Sequence, residues 1–241
     1  MIDGVMTEPR RSASTAEEEA YEYILVRIRS GRYAPNDRLI PEEIAVDIGM
    51  SRMPVREAFR RLAAEGLVTI RPNRGCVVSG LTLDEIFEVF EVRSVLEGLA
   101  VRLAMPKIDR SVLADLRLQL KRMEISEKLE GDKWLEDHYR FHEYLCGLSG
   151  RPKLIAQIRT LHVAIEPYLR VYRHHAKKSR SAGEAHRVLV NALAAGDVRA
   201  AEEAMRDHVL GTAPLLASFL RETQFDLRRS AVPGHSHRAA T

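Results

Sequence analysis

The sequence predicts a mainly α-helical protein, in which an N-terminal winged helix-turn-helix domain precedes an all-α bundle of about six helices. Residues 16–80 contain short helical patterns that end at glycines, followed by two β-strand patterns around a Pro-Asn-Arg-Gly turn. From residue 81 onward, only long helical patterns occur, separated by Gly, Pro and Ser. Hydrophobic residues make up 45% of the 241 positions, so each part can bury a core.

Four segments are expected along the chain. Residues 1–15 and 223–241 are polar and without periodicity, and both are interpreted as disordered tails. Residues 16–80 form the winged domain and residues 81–222 the helical bundle. The N-terminus lacks the apolar core of a signal peptide, and no run of 18 apolar residues occurs. With only two cysteines, the chain is expected to be cytoplasmic, without disulfides or a membrane span.

Three short helices and a turn precede the strand pair. A glycine ends the first helix, residues 16–31, and a proline stands in the first turn of the second, residues 41–49. Residues 34–40, between these helices, are predicted to form a turn. Ser51 is the expected N-cap of the third helix, which ends at Gly66.

Longer helices are predicted for the rest of the chain. Thr82 and Glu85 have the spacing of a capping box at the start of the first of them. The predicted helices cover residues 81–104, 109–130, 132–149, 152–178, 181–195 and 197–221.

The third short helix carries a concentration of positive charge. Residues 51–74 contain six arginines and two acidic residues, although the N-terminal domain as a whole is balanced. Arg52 and Arg56 are four apart and share a helix face, near the N-terminal residues Met53 and Pro54. The second helix of a helix-turn-helix enters the major groove by its N-terminal residues, and a guanidinium matches the edge of guanine. The pattern therefore favours DNA binding over a solvated helix face.

The run SRMPVREAFRRLAAEGLV, followed by RGCVV, resembles the winged-helix domain of the GntR transcription regulators. The resemblance covers about residues 17–80 and implies that Arg52 and Arg56 contact guanine edges, Arg38 a phosphate or base, and Gly75 the minor-groove side. Met53 departs from the threonine usual in the family, and this leaves the base preference beside Arg52 open. The residues expected at the DNA interface are Arg38, Ser51, Arg52, Met53, Pro54, Arg56, Arg74 and Gly75.

Four histidines are candidates for a metal site. His138 and His142 are four apart and project from one helix face, whereas His186 and His208 lie on two later helices. Imidazoles that converge from several helices can bind a divalent cation, and nitrogen ligands favour zinc, nickel, copper or iron over magnesium or calcium. Spacing alone leaves open the alternative that each histidine is an ordinary surface or core residue.

Residues 81–221 are similar to the FCD ligand-binding domain of FadR-type GntR regulators, through EVRSVLEGLAVRLA, DHYRFHEYLCGLSG and EAHRVLVNALAAGDVRAAEEAMRDHV. The resemblance implies that His142, His186 and His208 bind a divalent transition metal, zinc or nickel. His138 stands where the family has an aspartate, and the adjacent Asp137 points about 100° away around the helix. Either His138 replaces the carboxylate or the site has three protein ligands.

Arg93 is the candidate effector-binding residue. By the resemblance it is a buried guanidinium that binds an effector's carboxylate. The alternative is a surface ion pair with Glu97, one helical turn away.

Together these features predict a transcriptional repressor rather than an enzyme. It is expected to bind a palindromic double-stranded DNA operator as a homodimer, controlled by a small organic acid bound at the metal. Two alternatives remain at this point: a helical metalloenzyme fused to a nucleic-acid-binding head, and a constitutive DNA-binding protein with a structural metal.

Overall fold

A computed structural model describes residues 15–71, 75–128, 132–175 and 181–222, and it confirms the mainly helical fold. Short helices and a small sheet come first, and long helices follow. Within the described ranges, no helix combines the length and hydropathy that crossing a bilayer requires.

The N-terminal part contains a β-strand that was predicted as turn. Arg38 and Leu39 form this strand and pair with Val77 and Cys76 of the last strand, so that the antiparallel sheet has the order β1-β3-β2. The pairing joins segments far apart in the chain, which the local turn signals could not indicate. The elements are α1 (Ala16–Arg29), β1 (Arg38–Leu39), α2 (Pro41–Asp47), α3 (Arg52–Ala64), β2 (Val68–Arg71) and β3 (Gly75–Val78).

The C-terminal part is a bundle of long helices, as predicted. The second of them ends at Ser126 instead of residue 130, because the chain turns at residues 127–128. The predicted end of the fourth helix, at residue 178, lies outside the described residues. The helices are α4 (Leu83–Ala104), α5 (Arg110–Ser126), α6 (Lys133–Gly147), α7 (Pro152–His175), α8 (Ser181–Ala195) and α9 (Val198–Glu222), and one 3₁₀ turn (Met105–Lys107) follows α4.

Side-chain caps define where the helices begin. The predicted capping box is present at α4, where the Thr82 hydroxyl accepts the Glu85 N–H and the Glu85 carboxylate accepts the Thr82 N–H at 2.7 Å. Asp109 caps α5 by accepting the Val112 N–H at 2.9 Å. Ser51 occupies the N-cap position of α3, but its side chain accepts no capping hydrogen bond from the described residues of this helix. These caps satisfy N–H groups that have no partner within a helix.

Among the described residues two large hydrophobic cores form, and α7 contributes to both. Val163 of α7 is fully buried in the core of the N-terminal part, whereas Ile165 and Tyr168 belong to the core of the bundle. Arg159 of α7 also donates to Glu22 of α1 at 2.7 Å. Because α7 packs against α1, a movement of α7 would be transmitted directly to the N-terminal part.

Candidate DNA interface and histidine centre

Helix α3 presents a charged outer face and a buried inner one. Val55, Ala58, Phe59 and Leu62 are buried against the N-terminal core. Opposite this apolar stripe the N-terminal end of α3 is exposed, with Met53 at 60% exposure. The predicted interface residues Ser51, Arg52 and Arg56 are also exposed, and Pro54 is half-buried. An exposed helix N-terminus with cationic side chains is the arrangement that major-groove binding requires.

Arg52 is held by one weak partner. Its guanidinium donates to Glu42 of α2 at 3.0 Å, and both side chains are at least half exposed. This hydrogen bond holds the pKa of Glu42 below its ordinary value. Because an exposed ion pair contributes little to stability, Arg52 can exchange this carboxylate for a base or a phosphate at little cost.

Arg38 and Gly75 lie side by side on the sheet. Gly75 has φ +81°, and a Cβ built there would lie 3.5 Å from Nε of Arg38. Arg38 is exposed, so its guanidinium reaches solvent where the wing begins. Arg74 lies outside the described residues. The structure thus places Arg38 and Gly75, two of the residues expected at the DNA interface, together, although they are 37 positions apart in the sequence.

The four predicted histidines come together in the bundle, and this group is called the histidine centre below. His138 and His142 of α6, His186 of α8 and His208 of α9 each offer a ring nitrogen, and these nitrogens all lie within 4.8 Å of one another. Nε2 of His142 is 3.1 Å from Nε2 of His208, and the rings of His186 and His208 are 4.1 Å apart. Imidazole nitrogens gathered in this way can converge on one ion, which zinc would bind at about 2.0–2.1 Å.

A buried carboxylate that sequence reasoning missed lies behind the histidines. Glu97 of α4 is fully buried, and its two oxygens lie 2.6 Å from Nδ1 of His142 and 3.0 Å from Nε2 of His162. His162, on α7, was also missed. Glu97 had been considered only as a surface partner of Arg93. The sequence gives one indication of their burial: Glu97 and His162 are each flanked by apolar residues of their helix.

Glu97 determines which nitrogen of His142 is free. Burial opposes ionisation of Glu97, but Arg93, His162 and His142 outweigh it and hold its pKa well below the ordinary value. An ionised carboxylate only accepts hydrogen bonds, so Nδ1 of His142 must carry the proton. With that proton on Nδ1, the ring nitrogen left to bind a cation is Nε2, which lies 3.1 Å from Nε2 of His208. A carboxylate that orients a histidine in this way is typical of metal sites.

Burial keeps the imidazoles of His138, His208 and His162 uncharged. Desolvation and then the neighbouring imidazoles hold the pKa values of His138 and His208 well below the ordinary value. Burial and then Arg93 lower the pKa of His162 to about 4. Neutral imidazoles have the free lone pairs that a cation requires.

Arg93 is buried, which corrects the alternative of a surface ion pair. Its side chain is 3% exposed, and its Nε donates to Glu97 at 2.9 Å, so the ion pair exists within the bundle. Nη2 lies 3.1 Å from Nε2 of His162. Nη1 is buried without a hydrogen-bond partner among the described residues. A buried donor without a partner is costly, and an acidic ligand would supply the missing acceptor.

A cavity of about 220 Å³ adjoins this centre. Arg93, His138 and His208 form part of its lining. Tyr172 of α7 lines it as well. The Arg93 guanidinium and the rings of His138 and His208 therefore line the same cavity.

Asp137 lies away from the histidine centre. Its carboxylate contacts Nζ of Lys133 at 3.2 Å, and it belongs to a different cleft, beside Arg140. The histidine group includes His138 instead. His138 thus lies with the other three histidines, whereas the adjacent Asp137 does not.

The histidine centre is connected to the N-terminal part through Tyr139. The rings of Tyr139 and His162 meet edge to face at 5.5 Å, and the guanidinium of Arg29, in α1, lies 3.8 Å from the centre of the Tyr139 ring. Arg29 also donates to the buried Glu166 of α7 at 2.8 Å. A displacement of His162 would therefore reach the end of α1 through two contacts.

Comparison with known families matches both parts of the chain. Residues 16–78 match the family described as bacterial regulatory proteins, gntR family, and residues 88–211 match the FCD domain.

Similar proteins cover nearly the whole chain. A protein of Paenarthrobacter nicotinovorans named as a probable D-xylose utilization operon transcriptional repressor is 30% identical over 88% of this chain and 93% of its own length. The Escherichia coli HTH-type transcriptional repressor RspR is 28% identical over 73% of this chain and 78% of its own. The solved structure of E. coli McbR/YncC superposes with a TM-score of 0.77 at 22% identity, covering 86% of this chain and 99% of that one, and shows the same fold.

Proposed function

Because this chain belongs to the GntR family of DNA-binding transcriptional regulators and carries an FCD ligand-binding domain, we propose that it represses transcription until a small carboxylate binds beside its histidine centre. The family and its relatives are regulators, so the alternative of a metalloenzyme does not apply. The observation that carries the proposal is Nη1 of Arg93, a buried donor without a described partner on a residue that lines the same cavity as His138 and His208.

The proposed metal ligands are His138, His142, His186 and His208. Their nitrogens lie within 4.8 Å of one another, and their burial favours the neutral form of the rings of His138 and His208. A set of four imidazoles without a carboxylate favours zinc or nickel over magnesium or calcium. A bound cation would supply a positive charge that attracts an organic acid into the cavity. Arg93 then orients the acid by donating from Nη1 to its carboxylate.

The proposed DNA interface is the exposed end of α3 together with the sheet edge. Arg52 and Arg56 contact guanine edges, and Arg38 contacts a phosphate or base where Gly75 allows close approach. Ser51, Pro54 and Arg74 complete it. Met53 exposes an apolar side chain, which suits contact with a thymine methyl group better than a hydrogen bond.

Coupling between the two sites is proposed to pass through α7. An acid that accepts from Nη1 of Arg93 would draw the guanidinium toward the cavity, and Nη2 of the same guanidinium lies 3.1 Å from Nε2 of His162. His162 contacts Tyr139, and Tyr139 contacts Arg29 of α1. If the acid binds one arrangement of these groups more strongly than the other by about 1–3 kcal/mol, the operator affinity changes by a factor of about 5–150.

We expect the protein to act on chromosomal DNA in the cytoplasm as a homodimer, bound to a palindromic operator. Val92 and Val95 are three residues apart on α4 and about half exposed, which leaves an apolar strip uncovered in the single chain. Light scattering at operator-binding concentrations would measure the oligomeric state, and a monomer would contradict the two-fold arrangement.

The proposal is tested by operator binding of the full-length protein with and without metal and organic acids. Arg93→Lys keeps a positive charge beside Glu97 but removes the second nitrogen of the fork. We expect this variant to bind its operator normally and to lose its response to acids, as measured by fluorescence anisotropy. Elemental analysis should show that His186→Ala with His208→Ala strips the metal. Operator affinity indifferent to every acid would support a constitutive DNA-binding protein instead.

A further inference from the structure

The cavity beside Arg93 changes character away from the histidine centre. Its remaining walls consist mainly of apolar and aromatic side chains from α4, α6, α7 and α9, namely Phe90, Trp134, Leu169, Tyr172, Val209 and Leu215. Trp134 is stacked on His138 with ring centres 4.7 Å apart, so the apolar wall begins directly at the proposed metal ligand. A ligand anchored at the histidine centre must therefore place the rest of its structure against hydrocarbon.

Apart from Arg93 and the two histidines, the polar side chains on these walls are Tyr172, Arg173, Asp207 and Thr212. The Thr212 hydroxyl donates to the His208 carbonyl of its own helix at 3.4 Å. The Arg173 guanidinium lies over the Trp134 ring at 4.2 Å. Asp207 is exposed at the rim, where it would repel a second carboxylate. A ligand hydroxyl group buried against the apolar side chains Phe90, Trp134 and Leu215 would lack a hydrogen-bond partner, and each such group weakens binding by about tenfold or more.

We propose that the effector is a small monocarboxylate with an apolar body, an aryl or alkyl carboxylic acid, and not a polyhydroxylated acid or a dicarboxylate. This inference rests on the proposed function, because Arg93 and the histidine centre must hold the carboxylate. The apolar body then lies against Phe90, Trp134 and Leu215. The cavity volume of about 220 Å³ is below the range of about 300–1,000 Å³ typical of pockets for drug-sized ligands, which limits the acid to a small one.

Calorimetric titration of the zinc-loaded full-length protein tests the proposal with acetate, butyrate, hexanoate, benzoate, succinate and gluconate. We expect affinity to rise about fourfold per methylene along the alkyl series until the cavity is full, which is about 0.8 kcal/mol at 1.4 kcal/mol per tenfold. Benzoate should bind at least tenfold more tightly than gluconate. Tighter binding of gluconate or succinate, or no dependence on chain length, would overturn the inference.

Two leucines of α9 provide matched variants. Leu215 lines the cavity and is 45% exposed, whereas Leu210 is 39% exposed and outside the lining. Leu215→Gln should weaken benzoate and hexanoate binding several-fold and leave acetate unchanged, and Leu210→Gln should alter neither. Equal effects of the two substitutions would overturn the placement of the apolar body.

Measuring operator release by the same acids distinguishes a failure of the proposed function from a failure of the proposed effector class. If succinate or gluconate binds and releases the operator, the proposed function stands and only the apolar class is wrong. If none of these acids binds or releases the operator, both proposals fail.

Discussion

Replacing Glu97 by glutamine tests the organisation of the histidine centre most directly. Glu97 is fully buried, and its carboxylate contacts Arg93 at 2.9 Å, His142 at 2.6 Å and His162 at 3.0 Å. Glutamine has nearly the same shape but no charge, so the Arg93 guanidinium would be left buried without its counter-ion. Breaking a buried ion pair on one side costs about 3–5 kcal/mol, and we expect the free energy of unfolding of the metal-free protein to fall by that amount.

The same substitution should weaken metal binding. A glutamine can donate its amide N–H to Nδ1 of His142, and the ring proton would then move to Nε2, where it blocks the lone pair that faces His208. Loss of a carboxylate that orients a metal-binding histidine typically lowers metal affinity by about 10–100-fold. We therefore expect a zinc affinity reduced within this range for Glu97→Gln.

Two measurements and one control check this reasoning. Urea unfolding followed by circular dichroism gives the change in stability, and zinc titration against a competing chelator gives the change in affinity. Glu203→Gln removes the acidic partner of Arg199, an ion pair with the same four-residue spacing at 3.0 Å but with both side chains exposed. It should alter neither quantity. Wild-type stability together with wild-type zinc affinity in Glu97→Gln would refute the role assigned to this carboxylate.

Three further predictions concern DNA binding, pH and coupling. Arg56→Ala should weaken specific operator binding by about 1–3 kcal/mol and relax base preference, whereas Arg60→Ala, which removes a partner of Glu57, should change it less; an unchanged footprint in Arg56→Ala would contradict this interface. The pKa of His162 is about 4 in the folded protein against an ordinary 6.5, so the unfolded chain takes up this proton first as the pH falls. The metal-free protein should therefore lose about 3 kcal/mol of stability between pH 6.5 and pH 4 through this residue. Urea unfolding should show a smaller acid loss in His162→Asn, and equal losses would exclude the assignment. Arg29→Ala removes the contacts of α1 with Tyr139 and Glu166 and should reduce acid-induced operator release while acid binding persists; an unchanged release curve would exclude this route.

Local signals in the sequence determined the helices and their charged faces. The capping residues, the glycine stops and the arginine spacing in α3 act within a few residues of one another, so the predicted helices and the exposed cationic end of α3 agree with the structure. The spacing of His138 and His142 likewise placed both rings on one face of α6. Strand β1 was missed because its residues Arg38 and Leu39 pair with residues nearly 40 positions away.

The composition of the histidine centre was decided by packing between helices. The sequence selected His142, His186 and His208 through the family resemblance and left the choice between His138 and Asp137 open. The orientation of α6 in the bundle turns His138 toward the other histidines, whereas Asp137 lies beside Lys133 of its own helix. Only the tertiary structure places Glu97 of α4 between His142 and a histidine of α7. Helix periodicity describes which side chains share a face, but which faces meet depends on contacts between distant parts of the chain, and these contacts bring a buried carboxylate to the imidazoles it orients.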